Sequence, residues 1–519
     1  MKVLQLEDLI EQTGGCGRYQ ILLCLTVHSM KCIVCFSLLF MAFGAARPNW
    51  WCVDDLDISN VTLTTDMPQY KSCTAFNSTS KCSKFVFDKS METVATQWDL
   101  ICDKEWVTTT ITSIQMAGTF IGNLACGQIA DLIGRKAPLF SSVFVLVILN
   151  VATAFSTSWQ MFAVFRFFIG LAIGFELTVQ YNIMAEFTTA RWRTWVVAVP
   201  SWAIETIIFS FAAWLLKDWR YIHFTGAATG LPLLATYWFV PESFRFYVGH
   251  DRFGDAENII KTIARFNKRP VPDMSGLHAL KTSKEEQKLL DKKYSFIDII
   301  RNKELLKCTL LLAVVWITIG FNTYGIQFGV PKLSGNLFVN LFIPSLIGSP
   351  IQFIIIYLEN RFGRKSTSIL MYLICAVSAL MVAIANRFEE TSSRNTLINV
   401  TALLALTAIN CSWSPVQTLT IENYPTVVRN LGFGLHNTIS RIGAIIGPQL
   451  VFLDTKVSGI MYWICSAAAL ISIVCILPMR ETNGIDLEDK IHERSNGVDS
   501  NEESVKKIFE EEEEMLNAM

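Results

Sequence analysis

The chain has 519 residues, 51% hydrophobic and 17% charged, with a mean hydropathy of +0.37. A formal net charge of −1 leaves no global positive field that would attract nucleic acid. The apolar residues gather in runs close to the length that spans a bilayer, which excludes an ordinary soluble domain.

Residues 1–19 are polar and are expected on the cytoplasmic side. The apolar run 20–46 is too long for the core of a cleaved signal peptide and reads as a first membrane span. A long polar stretch, 47–106, follows. It holds Cys52, Cys73, Cys82 and Cys102, together with Asn60-Val61-Thr62 and Asn77-Ser78-Thr79, two N-glycosylation acceptor patterns. Four cysteines beside sugar acceptors read as two disulfides on a non-cytosolic face, with three pairings open. Their irregular spacing and the neighbouring acceptors weigh against zinc, and no other metal or cofactor pattern is visible. The stretch is therefore expected to be a large glycosylated extracellular loop.

Five more apolar segments, 107–128, 138–156, 160–182, 195–216 and 221–240, complete a six-span half over 20–240. Residues 241–305 are polar, with Lys281, Lys284, Lys288, Lys292 and Lys293 among acids, and read as a cytoplasmic linker of short helices. Segments 306–328, 336–358, 367–386, 398–420, 431–453 and 458–478 give a second half over 306–480. The tail 481–519 is acidic and ends in the run Glu510–Glu514; it reads as a disordered cytoplasmic tail. Twelve spans put both termini in the cytosol. The loops on that side then carry Arg135, Lys136, Arg191, Arg193, Arg361, Arg364, Lys365 and Arg429, in line with the positive-inside bias.

Two patterns recur half a chain apart. The loop Gly127-Gln128-Ile129-Ala130-Asp131-Leu132-Ile133-Gly134-Arg135-Lys136 returns in weaker form as Glu359-Asn360-Arg361-Phe362-Gly363-Arg364-Lys365. Gly134 permits a left-handed turn, and Asp131 can accept from an arginine such as Arg135. Glu186 precedes Arg193 by seven residues after the fourth span, and Glu422 precedes Arg429 by seven after the tenth. Two repeats at a similar offset point to a duplicated transporter.

Further strings carry a resemblance. They are Trp98-Asp99-Leu100-Ile101-Cys102 with Trp106, Pro241-Glu242-Ser243-Phe244-Arg245, and Leu333-Ser334-Gly335-Asn336. With them stands Glu422-Asn423-Tyr424-Pro425-Thr426-Val427-Val428-Arg429-Asn430. On these the chain resembles the organic cation/anion/zwitterion transporters of the major facilitator superfamily, nearly to residue 490. Thr189 and Phe244 stand where that family has prolines, which marks a divergent member. Sugar porters share several motifs, yet Thr318-Ile319-Gly320-Phe321-Asn322 lacks paired glutamines that would hold a hexose. The resemblance implies an all-α membrane protein with 12 transmembrane helices, two six-helix halves and alternating access at the plasma membrane. It implies no enzyme activity and no cofactor.

Charges at membrane depth are functional candidates. Arg441, in Asn437-Thr438-Ile439-Ser440-Arg441-Ile442-Gly443, offers a fork of donors suited to carboxylate or sulfate. The resemblance adds that anion-carrying relatives have arginine there and cation-carrying relatives aspartate. Lys31, three residues from His28 on one helix face, is a second candidate. Glu176 and Glu205 can neutralise these cations, bind a proton or meet the cationic part of a zwitterion. Gln352 stands where relatives place a lysine or a glutamate. Trp214 and Tyr324, with Trp202, Trp316 and Phe321, could form an aromatic cage. Asp131, Arg135, Glu186, Arg193, Glu242, Arg245, Glu422 and Arg429 read as a cytoplasmic latch of ion pairs that holds the outward-facing state and breaks on switching. The leading expectation is an organic anion carrier driven by the substrate gradient or an exchanged counter-ion. The alternative is a zwitterion or cation carrier of the carnitine or betaine type. A non-transporting scaffold or receptor, whose tail recruits a partner protein, comes third.

Overall fold

The computed structural model of the chain describes residues 6–54, 65, 67, 69–75, 80–189, 201–274, 296–425 and 428–482. Asn60, Asn77, Arg193, the lysines of 281–293 and the acidic tail lie outside the described residues.

Among the described residues, twelve long helices carry the fold. The first six are α1 (Arg18–Gly44), α2 (Trp106–Ile133), α3 (Lys136–Ala154), α4 (Trp159–Glu186), α5 (Ser201–Leu216) and α6 (Trp219–Leu234). The second six are α7 (Lys303–Gly329), α8 (Leu337–Phe362), α9 (Arg364–Ala385), α10 (Ser392–Cys411, continued by Trp413–Asn423), α11 (Arg429–Lys456) and α12 (Ile460–Ile476). Short helices Phe244–Gly249, Phe253–Phe266 and Phe296–Arg301 fall in the expected linker. Several helices begin at side-chain caps, where Ser158, Asp218, Asn302, Asn336 and Thr391 accept from otherwise orphaned backbone N–H groups.

Among the described residues, seven helices are long and apolar enough to cross a membrane by length and composition. The exceptions are informative. α2 and α11 are long but carry polar stripes. On α2 the stripe is Thr108, Thr112, Gln115, Thr119 and Asn123, all buried; on α11 it includes buried His436, Ser440 and Arg441. Polar groups inside a bilayer face the protein interior, so these two helices are read as lining the bundle centre. They also meet there: α2 packs on α11 and α5 on α8, joining the halves, while α2 with α4 and α7 with α11 are the tightest pairs within each half.

Small residues set those tight pairs. A Cβ at Gly118 or Gly122 of α2 would collide with the backbone oxygens of Phe167 or Leu171 on α4. One at Gly170 would collide with the Gln115 oxygen of α2. Backbones can approach this closely only where no side chain intervenes.

The polar loop between α1 and α2 is held by a two-stranded antiparallel sheet, β1 (Trp50–Cys52) and β2 (Phe85–Phe87), with Trp50 opposite Phe87. Disulfides join Cys52 to Cys82 and Cys73 to Cys102, one of the three pairings the sequence leaves open. The Asp54 carboxylate accepts from the backbone N–H groups of Ser83 and Lys84, and the Ser83 bonds hold its carboxyl below the usual carboxylate range. This loop marks one end of the bundle, the disulfide end. The Gly134-Arg135 and Gly363-Arg364 turns mark the other, the glycine–arginine end.

The halves are joined towards the disulfide end. Gln449 Nε2 of α11 donates to the Ser113 hydroxyl of α2 at 2.9 Å, and that hydroxyl donates to the Ile445 carbonyl at 2.8 Å. Phe43 of α1 stacks on Phe338 of α8 with ring centroids 6.2 Å apart.

Candidate functional site

Two helix crossings build the centre of the bundle. In the second half, a Cβ at Gly320 of α7 would strike the Ser440 oxygen, and one at Gly443 of α11 would strike the Ile317 oxygen. This close crossing brings together Tyr324, one turn beyond Gly320, and Arg441, two residues before Gly443. Arg441 is 6% exposed, and its Nη1 donates to the Tyr324 hydroxyl at 3.1 Å. Tyr324 is itself stacked on Phe328 at 6.1 Å.

Asn123 of α2 reaches the same guanidinium from the other half. Its amide has two orientations. In one, its nitrogen faces the Arg441 donors and its oxygen faces the Gly174 carbonyl, two repulsive contacts. In the other, the nitrogen donates to the Gly174 oxygen at 2.9 Å and the oxygen accepts from Arg441 Nε at 3.1 Å. The second orientation satisfies both groups.

The first half contributes a group of opposite balance. Lys31 of α1 is 2% exposed, donates to the Ser201 hydroxyl at 2.9 Å and sits 4.9 Å from the Tyr181 ring centroid. Glu176 of α4 and Glu205 of α5 lie within electrostatic reach of Lys31 and of each other. Glu176 is fully buried, and neither carboxylate oxygen has a hydrogen-bond partner among the described residues. Gln180, one turn along α4, also has both amide atoms buried without partners. Buried polar groups are nearly always satisfied, so unpartnered ones at a helix-lined centre point to something that completes them.

The other expected site residues differ in burial. Trp214 is 48% exposed and packs on Phe211, half a helical turn round α5 from buried Glu205. The indole therefore faces away from the bundle centre. Gln352 is half-buried on α8 and makes no side-chain hydrogen bond among the described residues. Trp316 is a packing residue: its indole N–H donates to Thr420 at 2.9 Å, and its ring meets Trp413, Phe433 and His436. Trp202 packs partly buried against the core, and Phe321 is buried.

At the glycine–arginine end the two halves repeat one construction. Arg135 pairs with Asp131 at 2.9 Å and with Glu186 at 3.2 Å, while the Glu242 carboxylate accepts the Arg135 and Lys136 backbone N–H groups at 2.7 and 3.1 Å. Gly134, at φ 100°, has no room for a Cβ beside Glu242. In the second half Arg364 pairs with Glu422 at 3.2 Å, and Glu481 accepts the Arg364 N–H at 2.9 Å beside Gly363, at φ 99°. Glu422, one of the expected latch residues, thus meets Arg364. Arg429 Nε instead donates to the carbonyls of Ile421 and Tyr424 at the end of α10. Arg245 lies 5.8 Å from the Phe244 ring. Among the described residues these pairs lie within one half each.

The sequence reading passes over Arg166, Asn123, Glu359, Arg364 and Glu481 as site residues. Arg166 of α4 is fully buried, donates to the Ser37 carbonyl at 2.6 Å and to Gln115, and lies 5.0 Å from the Phe40 ring. Asn150 and His223 extend this buried network at 2.8 Å. It sits inside the first half and holds α1, α2, α3, α4 and α6 together.

Comparison with known proteins agrees with this architecture. The family model described as sugar (and other) transporter matches residues 59–493. An organic cation transporter protein of Drosophila melanogaster is 26% identical over 94% of this chain and 94% of its own length. Organic cation/carnitine transporter 2 of Homo sapiens is 26% identical over 79% of this chain and 72% of its own. Among solved structures, the inward-open xylose transporter XylE from E. coli superposes with a TM-score of 0.62 at 14% identity, covering 90% of this chain and 98% of that one. That likeness speaks for the fold alone.

Proposed function

The chain belongs to the sugar (and other) transporter family, among the organic cation/anion/zwitterion transporters of the major facilitator superfamily, and from that premise we propose that it carries a small organic zwitterion or cation by alternating access. The observation that carries this reading is the Glu176 carboxylate, fully buried with both oxygens unpartnered among the described residues. With Glu205 it sets two acids near Lys31. An acidic pocket at the bundle centre attracts a cationic group and repels an isolated anion. Arg441, backed by Tyr324, faces it from the second half and suits a carboxylate. A molecule with a quaternary amine at one end and a carboxylate at the other matches both sides. The names of the relatives favour this reading over the anion carrier expected from Arg441 alone. An anion carrier is the second reading, and Arg441 is the observation in its favour.

Gln352 is assigned to the rim of this site as a neutral hydrogen-bonding group, and Trp214 has no place in it. The bracing pairs keep each half rigid while it rocks. The glycine–arginine end is assigned to the cytoplasm, with both termini there, and the disulfide-bonded loop to the outside of the plasma membrane, with sugars at Asn60 and Asn77. Residues 241–305 link the halves, and the tail from 481 offers a place for a partner protein. Movement follows the substrate gradient or an exchanged counter-ion. Uptake of a labelled quaternary amine by Glu176→Gln beside the parent tests the reading. A fall of tenfold or so at equal surface level supports it; unchanged uptake removes Glu176 from the site.

A further inference from the structure

We infer that Asn123 is a neutral placeholder for the substrate's anionic group at Arg441, and that its displacement couples loading to release of the seam between the halves. The inference rests on the proposed site and assigns a role to a residue on the opposite half from the arginine.

Among the described residues Arg441 is almost fully enclosed and meets no carboxylate; its contacts are the Tyr324 hydroxyl on its own half and the Asn123 amide oxygen on the other. A buried arginine held by neutral acceptors is satisfied in geometry but not in charge. A carboxylate arriving at the same donors forms the stronger, charge-assisted pair and displaces the weaker acceptor. Tyr324 sits on α7, which is locked to α11 through Gly320 and Gly443, so it moves with Arg441. Asn123 is locked to the other half by its bond to the Gly174 oxygen and by the α2–α4 crossing at Gly122 and Gly174. The bond that can be exchanged without breaking a helix pair is therefore the one between Asn123 and Arg441.

That bond lies on the α2–α11 seam, ten residues along α2 from the Ser113–Gln449 contact. The two polar contacts fasten the same pair of helices. Loosening the inner one weakens the fastening that must open when the halves rock. An asparagine suits this role because it holds Arg441 weakly enough to be replaced. An aspartate would hold it as a permanent internal substitute for substrate.

The test uses the full-length chain in membranes with Ser113→Cys and Gln449→Cys, joined by a short bifunctional thiol reagent. Cross-linking is read without substrate. Cross-linking several-fold slower with Asn123→Ala and at least parental with Asn123→Asp supports the clasp, and identical rates in all three overturn it. This arm needs no substrate, so it separates the clasp from the proposed function. In the uptake arm, Asn123→Asp is expected to raise KM for carnitine about tenfold while sparing tetraethylammonium, and Arg441→Ala is expected to erase that selectivity. An equal effect on both substrates, or an effect that survives Arg441→Ala, overturns the placeholder role. If Asn123 variants alter cross-linking but the parent carries neither probe, the clasp is supported and the substrate reading fails.

Discussion

Arg441 reaches the Tyr324 hydroxyl at 3.1 Å from the neighbouring helix, and this contact exists because neither Gly320 nor Gly443 carries a side chain. The glycines let α7 and α11 touch backbone to backbone, and the touching backbones fix where the phenol and the guanidinium meet. Gly443→Val should therefore displace Arg441 without altering it. Overpacking of this kind costs about 1–3 kcal/mol. A lower melting temperature in detergent together with lost uptake is expected; full uptake at parental stability would show that the crossing does not position the arginine.

Tyr324→Phe removes only the hydroxyl that receives Arg441 Nη1. A hydrogen bond to a charged group is worth about 1.5–3 kcal/mol, so KM for a carboxylate-bearing substrate should rise roughly tenfold or more. A quaternary amine without a carboxylate should be unaffected. Parallel changes for both substrates would place Tyr324 in general packing, where its stacking on Phe328 would be its main role.

Arg364 repeats the construction around Arg135, and the match extends to the acids: Glu422 answers Glu186, and Glu481 answers Glu242. Arg364→Lys should not rescue what Arg364→Ala loses. One guanidinium serves Glu422 and the Glu359 carbonyl at once, and a single ammonium lacks that fork. The maximal rate should fall with KM little changed, because Arg364 lies outside the proposed binding site. A KM effect confined to binding would contradict the bracing role.

The disulfides Cys52–Cys82 and Cys73–Cys102 close loops of 30 and 29 residues' separation in a segment with a sheet of only two short strands. Replacing Cys73 and Cys102 together by serine should cost the loop about 2–4 kcal/mol. Less protein at the cell surface, with unchanged KM for what arrives, is expected. A KM shift would assign the loop a part in substrate capture.

The twelve helices and the duplication are legible in the sequence because apolar run length and local Gly-Arg motifs are local signals. Arg441, Lys31, Glu176 and Glu205 are legible for a related reason: a charge inside an apolar run stands out by its cost. Arg166, flanked by Phe165, Phe167 and Phe168, carries the same signal and belongs with them. Asn123 does not, since an uncharged amide among threonines and glycines has no local mark, and its meaning depends on a helix from the other half. The partner of Glu422 is hidden for the same reason. The fold brings Arg364 to it from another helix end, a pairing that no local spacing marks. Trp214 shows the converse error. Aromatic character is visible in sequence, but the side of α5 that faces the centre is set by Glu205 and its neighbours.

The most direct measurement is uptake by cells carrying the parent, Glu176→Gln or Arg441→Ala chain, at matched surface levels. The substrates are carnitine, tetraethylammonium and an aromatic carboxylate. The account predicts saturable uptake of carnitine and tetraethylammonium but not of the carboxylate. Glu176→Gln should depress both, and Arg441→Ala should depress carnitine alone. Saturable uptake of the carboxylate that collapses with Arg441→Ala, with neither amine carried, would contradict it and establish the anion carrier instead.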